Sequence, residues 1–141
     1  MTVQDTTYLT ARDTTVVNDT LRSTPSILSL LTGKQWEFDS AYINYTGPGT
    51  GVLAYVRGGS SNLVNLDNEY YTWTSNGDFW SFQNSTYYLS QWSFWNNDSS
   101  SYKIVSTVLP TDYGRIIKLS ATSLTAYDST LKTLDIQIPT P

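Results

Sequence analysis

The chain of 141 residues contains no cysteine and no histidine. Without cysteine there is no disulfide, no thiol nucleophile, no iron–sulfur cluster and no thiolate zinc site. Without histidine the side chain most often used as general base or metal ligand near neutral pH is missing, so hydrolase triads and transition-metal centres lack their usual parts. Positive charge is scarce too. Eight Lys and Arg, scattered singly against twelve Asp and Glu, leave a net charge of −4 and no basic stripe for nucleic acid. No apolar run reaches the ~18 residues of a membrane-spanning helix, and Met1-Thr2-Val3-Gln4-Asp5 has neither the basic nor the apolar part of a signal peptide. The expectation is a soluble chain that is not an enzyme, with no cofactor, no metal, no nucleic-acid partner and no transmembrane segment.

What is present belongs to β-structure. Ser, Thr, Asn, Tyr and Trp are abundant while Ala, Glu and Lys are few, the usage of strands rather than helices. Residues 1–23 are rich in Thr and Asp, with small apolar clusters at Tyr8-Leu9 and Val16-Val17, and read as an arm or linker ahead of one domain over 24–141. One short helix is expected over 24–33, with Thr24 as N-cap, Pro25 at the first helical position and Gly33 as the stop. From Trp36 onward, eight or nine short strands alternate with turn residues at Gly47-Pro48-Gly49, Gly58-Gly59-Ser60, Asn76-Gly77, Asn96-Asn97-Asp98, Pro110-Thr111-Asp112 and Asp128-Ser129-Thr130. Links this short join antiparallel neighbours, and a sheet of that many strands tends to close, so an up-and-down barrel is the expected fold.

The sharpest local signal is Tyr71-Thr72-Trp73-Thr74-Ser75-Asn76-Gly77-Asp78-Phe79-Trp80-Ser81-Phe82. A two-residue type I′ turn at Asn76-Gly77 would pair Trp73 with Trp80 and Tyr71 with Phe82, giving one aromatic wall. On the following strand Trp92 and Phe94 share a face, and Tyr87, Leu89 and Trp95 the other. The candidate ligand-binding residues are therefore Tyr71, Trp73, Trp80, Phe82, Trp92 and Phe94, because rings facing a cavity offer large contact area at low conformational cost. The competing reading is that the same rings simply fill the core. Carboxylates offer less: Glu37 with Asp39, and Asp67 with Glu69, share a strand face but read as solvated positions, and Asp78, Asp98, Asp112, Asp128 and Asp135 stand alone, most of them in turns. No catalytic residue is assigned.

Leu30-Leu31-Thr32-Gly33-Lys34-Gln35-Trp36, the Tyr71 to Phe82 hairpin, Gln91-Trp92-Ser93-Phe94 and Ile116-Ile117-Lys118-Leu119 through Leu124 come in an order that resembles the lipocalin-like domains of Bacteroidota envelope proteins. The resemblance covers residues 26–128. It departs at Ser90-Gln91, where the family carries a glycine before the Trp, and at Trp73, where Phe is usual. It implies an up-and-down barrel with the helix at one end and Trp36 sealing the base. It also implies a secreted or lipid-anchored protein of the cell envelope. The triplets at Asp5-Thr6-Thr7, Asp13-Thr14-Thr15 and Asp19-Thr20-Leu21 look like O-glycosylation acceptors of such proteins, at Thr6, Thr14 and Thr20.

Three functions compete. The first is a binding barrel for a small apolar or amphipathic molecule, which requires a cavity on the order of 300 Å³. The second is an assembly or adhesion subunit that self-associates through residues 1–23 by adding a strand to a neighbouring sheet edge. The third is a surface module that stacks glycans on outward-facing Tyr and Trp.

Overall fold

Nine strands follow one short helix in the computed structural model, which describes residues 25–141. They are α1 (Ile27–Leu31), β1 (Gln35–Ile43), β2 (Val52–Val56), β3 (Tyr70–Trp73), β4 (Asp78–Gln83), β5 (Thr86–Trp95), β6 (Asp98–Val105), β7 (Asp112–Leu119), β8 (Leu124–Asp128) and β9 (Thr133–Pro139). Every pairing is antiparallel, and sequence neighbours pair from β3 through β9. The first and last strands then meet, from Trp36 opposite Pro139 to Tyr42 opposite Leu134, and close an eight-stranded up-and-down barrel. Strand β2 is the extra one. It pairs with β1 over Ser40–Ile43, while β3 takes the same edge of β1 over Gln35–Glu37.

The helix is shorter than the sequence suggests. Ser26, not Thr24, is the N-cap: its side chain accepts from the Ser29 N–H at 3.0 Å, which moves Pro25 outside the helix. Five residues cannot hold a helix by propensity, so packing holds this one. Leu31 is fully buried, and its carbonyl accepts from Trp36 Nε1 at 2.9 Å. Trp36, itself fully buried, thereby plugs the helix end of the barrel.

Two β-hairpins use type I′ turns, but not the one with the textual signature for it. Asn84 and Ser85 join β4 to β5, and Asn96 and Asn97 join β5 to β6, each pair at positive φ. At Asn76-Gly77 only the glycine has positive φ. There the loop holds three residues between the Thr74 and Asp78 pair, the form in which a type I turn ends in a bulged glycine. The extra residue is stabilised by Thr74, whose hydroxyl accepts from the Asp78 N–H at 2.8 Å and donates to Asn76 Oδ1. The register accordingly shifts by one from the expected wall. Trp73 faces Phe79, Thr72 faces Trp80, Tyr71 faces Ser81 and Tyr70 faces Phe82. Because side chains alternate faces, the slip turns Trp80 and Phe82 outward and brings Phe79, Ser81 and Gln83 inward.

Inside, Trp73, Phe79, Trp92, Tyr102, Ile116, Leu124 and Ala126 pack on Leu31 and Trp36 as one cluster. Trp73 sits at its centre, edge-on to Phe79 (4.7 Å between centroids), Tyr102 (5.0 Å) and Trp92 (5.2 Å). A smaller cluster of Phe38, Ala41 and Tyr55 packs where β2 crosses β1, with Tyr71 touching both.

Candidate functional site

At the end of the barrel opposite α1 the core changes character. The strand starts and ends there supply Gln83 from β4, Ile104 from β6, Asp112 from β7, Asp128 from β8, and Thr133 and Asp135 from β9. Together with Tyr71, Trp73, Phe79, Tyr102 and Gln137 they line a cavity of about 110 Å³ inside the lumen. That is well short of the ~300 Å³ expected for a drug-sized ligand, and at about 30 Å³ each it has room for roughly three or four waters. The lumen therefore does not meet the ~300 Å³ requirement set for the binding-barrel reading, and leaves room only for a guest much smaller than that reading expected. Larger hollows of about 370 and 220 Å³ lie on the outside against residues 53–67, but both are open grooves, the first lined mainly by polar residues of the loop and the second by Leu53–Val56 of β2 together with Gly59–Asn62.

What marks the lumen is polarity where the fold calls for grease. In β9 the apolar residues Leu134, Ile136 and Ile138 alternate with Asp135 and Gln137. Register places Gln137 opposite Phe38 and Leu124, and Asp135 opposite Ala41 and Ala126, all residues of the interior. The polar set of β9 thus points inward and the aliphatic set outward, the reverse of what alternation alone indicates. The same inward row on β8 runs Leu124, Ala126, Asp128.

Two polar atoms here lack partners among the described residues. Gln137 is 4% exposed, and its Oε1 has no hydrogen-bond donor; Trp73 is equally buried, and its Nε1–H has no acceptor. An unpaired buried polar atom costs on the order of 1–3 kcal/mol. Among the satisfied groups, Gln83 Nε2 donates to the Tyr71 hydroxyl at 3.2 Å, and Asp128 Oδ1 accepts from the backbone N–H of Thr130 and of Leu131, each at 2.8 Å. Thr133 Oγ1 reaches Asp135 Oδ2 at 3.4 Å.

The carboxyls respond to this setting. Burial, with the neighbouring Asp128 charge second, pushes Asp135 up to about 7 and Asp112 up to about 6. Burial raises Asp128 as well, against the two backbone N–H groups that favour its charged form. The hydroxyls of Tyr71 and Tyr102 are pushed far up, first by burial and then by these carboxylates, and stay neutral. No lysine or arginine lines the cavity among the described residues. Among those residues there is likewise no group of three or more acids arranged to hold a metal ion.

Of the six ring residues named from the sequence, Tyr71 and Trp73 line this cavity. Trp92 and Phe94 also point inward but pack deeper, Trp92 donating its Nε1–H to the Thr74 carbonyl at 3.0 Å. Trp80 and Phe82 lie on the outer face, Trp80 with 39% of its surface exposed. There Tyr70 stacks on Phe82 at 4.7 Å, Phe82 touches Tyr87, and the Tyr70 and Tyr87 hydroxyls share a hydrogen bond of 2.8 Å. Phe79, Tyr102, Gln137 and the three aspartates were not legible as a site. Their signal is the inward parity of strands whose register only the closed barrel defines. The paired acids named from the sequence go elsewhere: Glu37 meets Arg57 at 3.5 Å, Asp39 is exposed at a bulge, and Asp67 accepts from the Tyr55 hydroxyl at 2.8 Å.

Thr6, Thr14, Thr20 and the arm over 1–23 lie outside the described residues. Among the described residues no helix is long and apolar enough to cross a membrane. Comparison with family models, with curated proteins and with solved structures gives no match for this chain.

Proposed function

We propose that the protein is a non-enzymatic binding barrel that takes a compact amphipathic molecule into the lumen opposite α1. The observation that carries this is a lumen cavity walled by Tyr71, Phe79 and Tyr102 whose lining also includes Gln137 and Trp73, each with a buried polar atom, Oε1 and Nε1, unpartnered among the described residues. Binding sites combine apolar walls with a few placed polar groups in this way. The closed eight-stranded barrel with its helix plug is in keeping with the lipocalin-like resemblance, and on that reading the protein belongs to the cell envelope or is secreted. Titration of a Trp80→Phe variant with small amphipathic molecules, followed through the remaining indole emission and the Trp73 indole N–H resonance, tests it. A saturable shift of that resonance is expected. Silence across neutral, cationic and anionic compounds would discard the lumen as a site.

One observation favours a second reading. Tyr70, Trp80, Phe82 and Tyr87 form an outward aromatic surface across β3, β4 and β5, suited to stacking on sugar rings. An oligosaccharide panel compared between the native chain and a Trp80→Ala, Tyr87→Ala double variant decides it: binding must be present in the first and lost in the second.

A further inference from the structure

We propose that the lumen ligand is a small organic cation bearing a primary ammonium group, held by Asp112, Asp128, Asp135 and Gln137 with its short apolar part against Trp73 and Tyr102. This deepens the lumen reading above and rests on it. The lining is rich in acceptors of acidic character: three carboxyls and a Gln137 amide oxygen unpartnered among the described residues stand beside only neutral donors, the Tyr71 and Tyr102 hydroxyls, the Gln83 and Gln137 amides and the Trp73 indole. A ligand rich in N–H groups completes the acceptors, and an anion does not.

Charge points the same way. Among the described residues the three aspartates have no cationic side chain beside them in the cavity; Lys132 stands in the turn before β9 but is not part of the lining. Asp135 is faced by Asp128, Tyr71 and Tyr102, with Asp112 in the same lining and Glu69 beyond Tyr71, so among the described residues its titratable neighbours are acids and neutral phenols. An incoming cation supplies the missing countercharge. A bare metal ion fits less well, because the acids are not gathered into a coordination group. The cavity of about 110 Å³ limits the guest to a short-chain amine.

The test compares three ligands of one skeleton, n-butylammonium, 1-butanol and butyrate, by calorimetry and by the Trp73 indole N–H resonance of the full chain. Butylammonium is expected to bind at least about tenfold more tightly than butanol, and butyrate not at all. Its affinity should rise between about pH 5 and about pH 8, with protons released on binding, as Asp112 and Asp135 ionise. Asp135→Asn and Asp112→Asn should each narrow the gap between butylammonium and butanol. Equal binding of the two in the native chain overturns the cation assignment and leaves the lumen site standing. No response to any of the three removes both. Displacement of butylammonium by millimolar Ca²⁺ at constant ionic strength also overturns it, in favour of a metal site.

Discussion

At the scale of single residues, the lumen aspartates work against the fold that carries them. The folded pKa of Asp135, about 7, lies above its ordinary 3.8, so between those values the native state holds a proton that the unfolded state has released. Stability contributed by the neutral form is present below the lower value and is lost as pH rises to about 7. Urea midpoints measured across this range should fall with rising pH. In Asp135→Asn the fall should flatten, and at pH 8 the variant should be more stable by on the order of 1–2 kcal/mol after allowance for partial exposure. A group that destabilises its own protein in this way has the signature of a site kept for function. Gly114 is a second informative residue. A Cβ there would lie 2.1 Å from the Tyr102 ring, which lies against the bare backbone. Gly114→Ala should cost about 1–3 kcal/mol by displacing Tyr102, and should change the near-ultraviolet dichroism of the aromatic cluster.

At the scale of elements, the hairpin between β3 and β4 decides which aromatics are inside. An Asn-Gly pair favours a two-residue turn, but the Thr74 hydroxyl holds a loop one residue longer. The two registers predict different mutational outcomes at Trp80. With the observed one, Trp73→Ala should cost about 3–5 kcal/mol and Trp80→Ala less than about 1 kcal/mol, readable in denaturant unfolding. Equal large losses would restore the register expected from turn type alone. The next turn offers a complementary check. Ser85 sits at φ 63°, where a side chain is strained, so Ser85→Gly should leave the hairpin intact and stabilise by roughly 0.5–1 kcal/mol. Strand β9 carries the other element-level lesson. Its Leu, Ile, Ile row would be assigned to the core by alternation, yet pairing with Phe38 and Ala41 on β1 turns Asp135 and Gln137 inward instead.

At the scale of the molecule, closure joins the two ends of the chain. The pairing of β1 with β9 brings together residues about a hundred apart in sequence, and such non-local contacts make folding slow, on the order of milliseconds to seconds. A chain ending before Thr133 loses the closing strand, Gln137 and Asp135 together. It should show no cooperative unfolding transition by circular dichroism, whereas a chain lacking residues 140–141 should retain one. Trp36→Ala opens the helix end by removing a fully buried ring and its hydrogen bond to Leu31; a cost of about 3–5 kcal/mol is expected.

Much of this architecture follows from the order of residues alone. Turn residues at short intervals, β-rich composition and mostly short links were enough for an antiparallel up-and-down barrel of eight or nine strands behind a short helix, but not for the pairing of β3 with β1 that leaves β2 outside the closed eight. The same local reasoning placed Tyr71, Trp73, Trp92 and Phe94 on inward faces. Facing depends on register, however, and register here is set by a threonine hydroxyl in one turn and by bulges on β1 and β7. A single-residue slip exchanges inside for outside along a whole strand. That is why Trp80 and Phe82 turn out to lie on the surface. It is also why three aspartates that look solitary in the sequence meet in one cavity, which exists only once β9 has closed against β1.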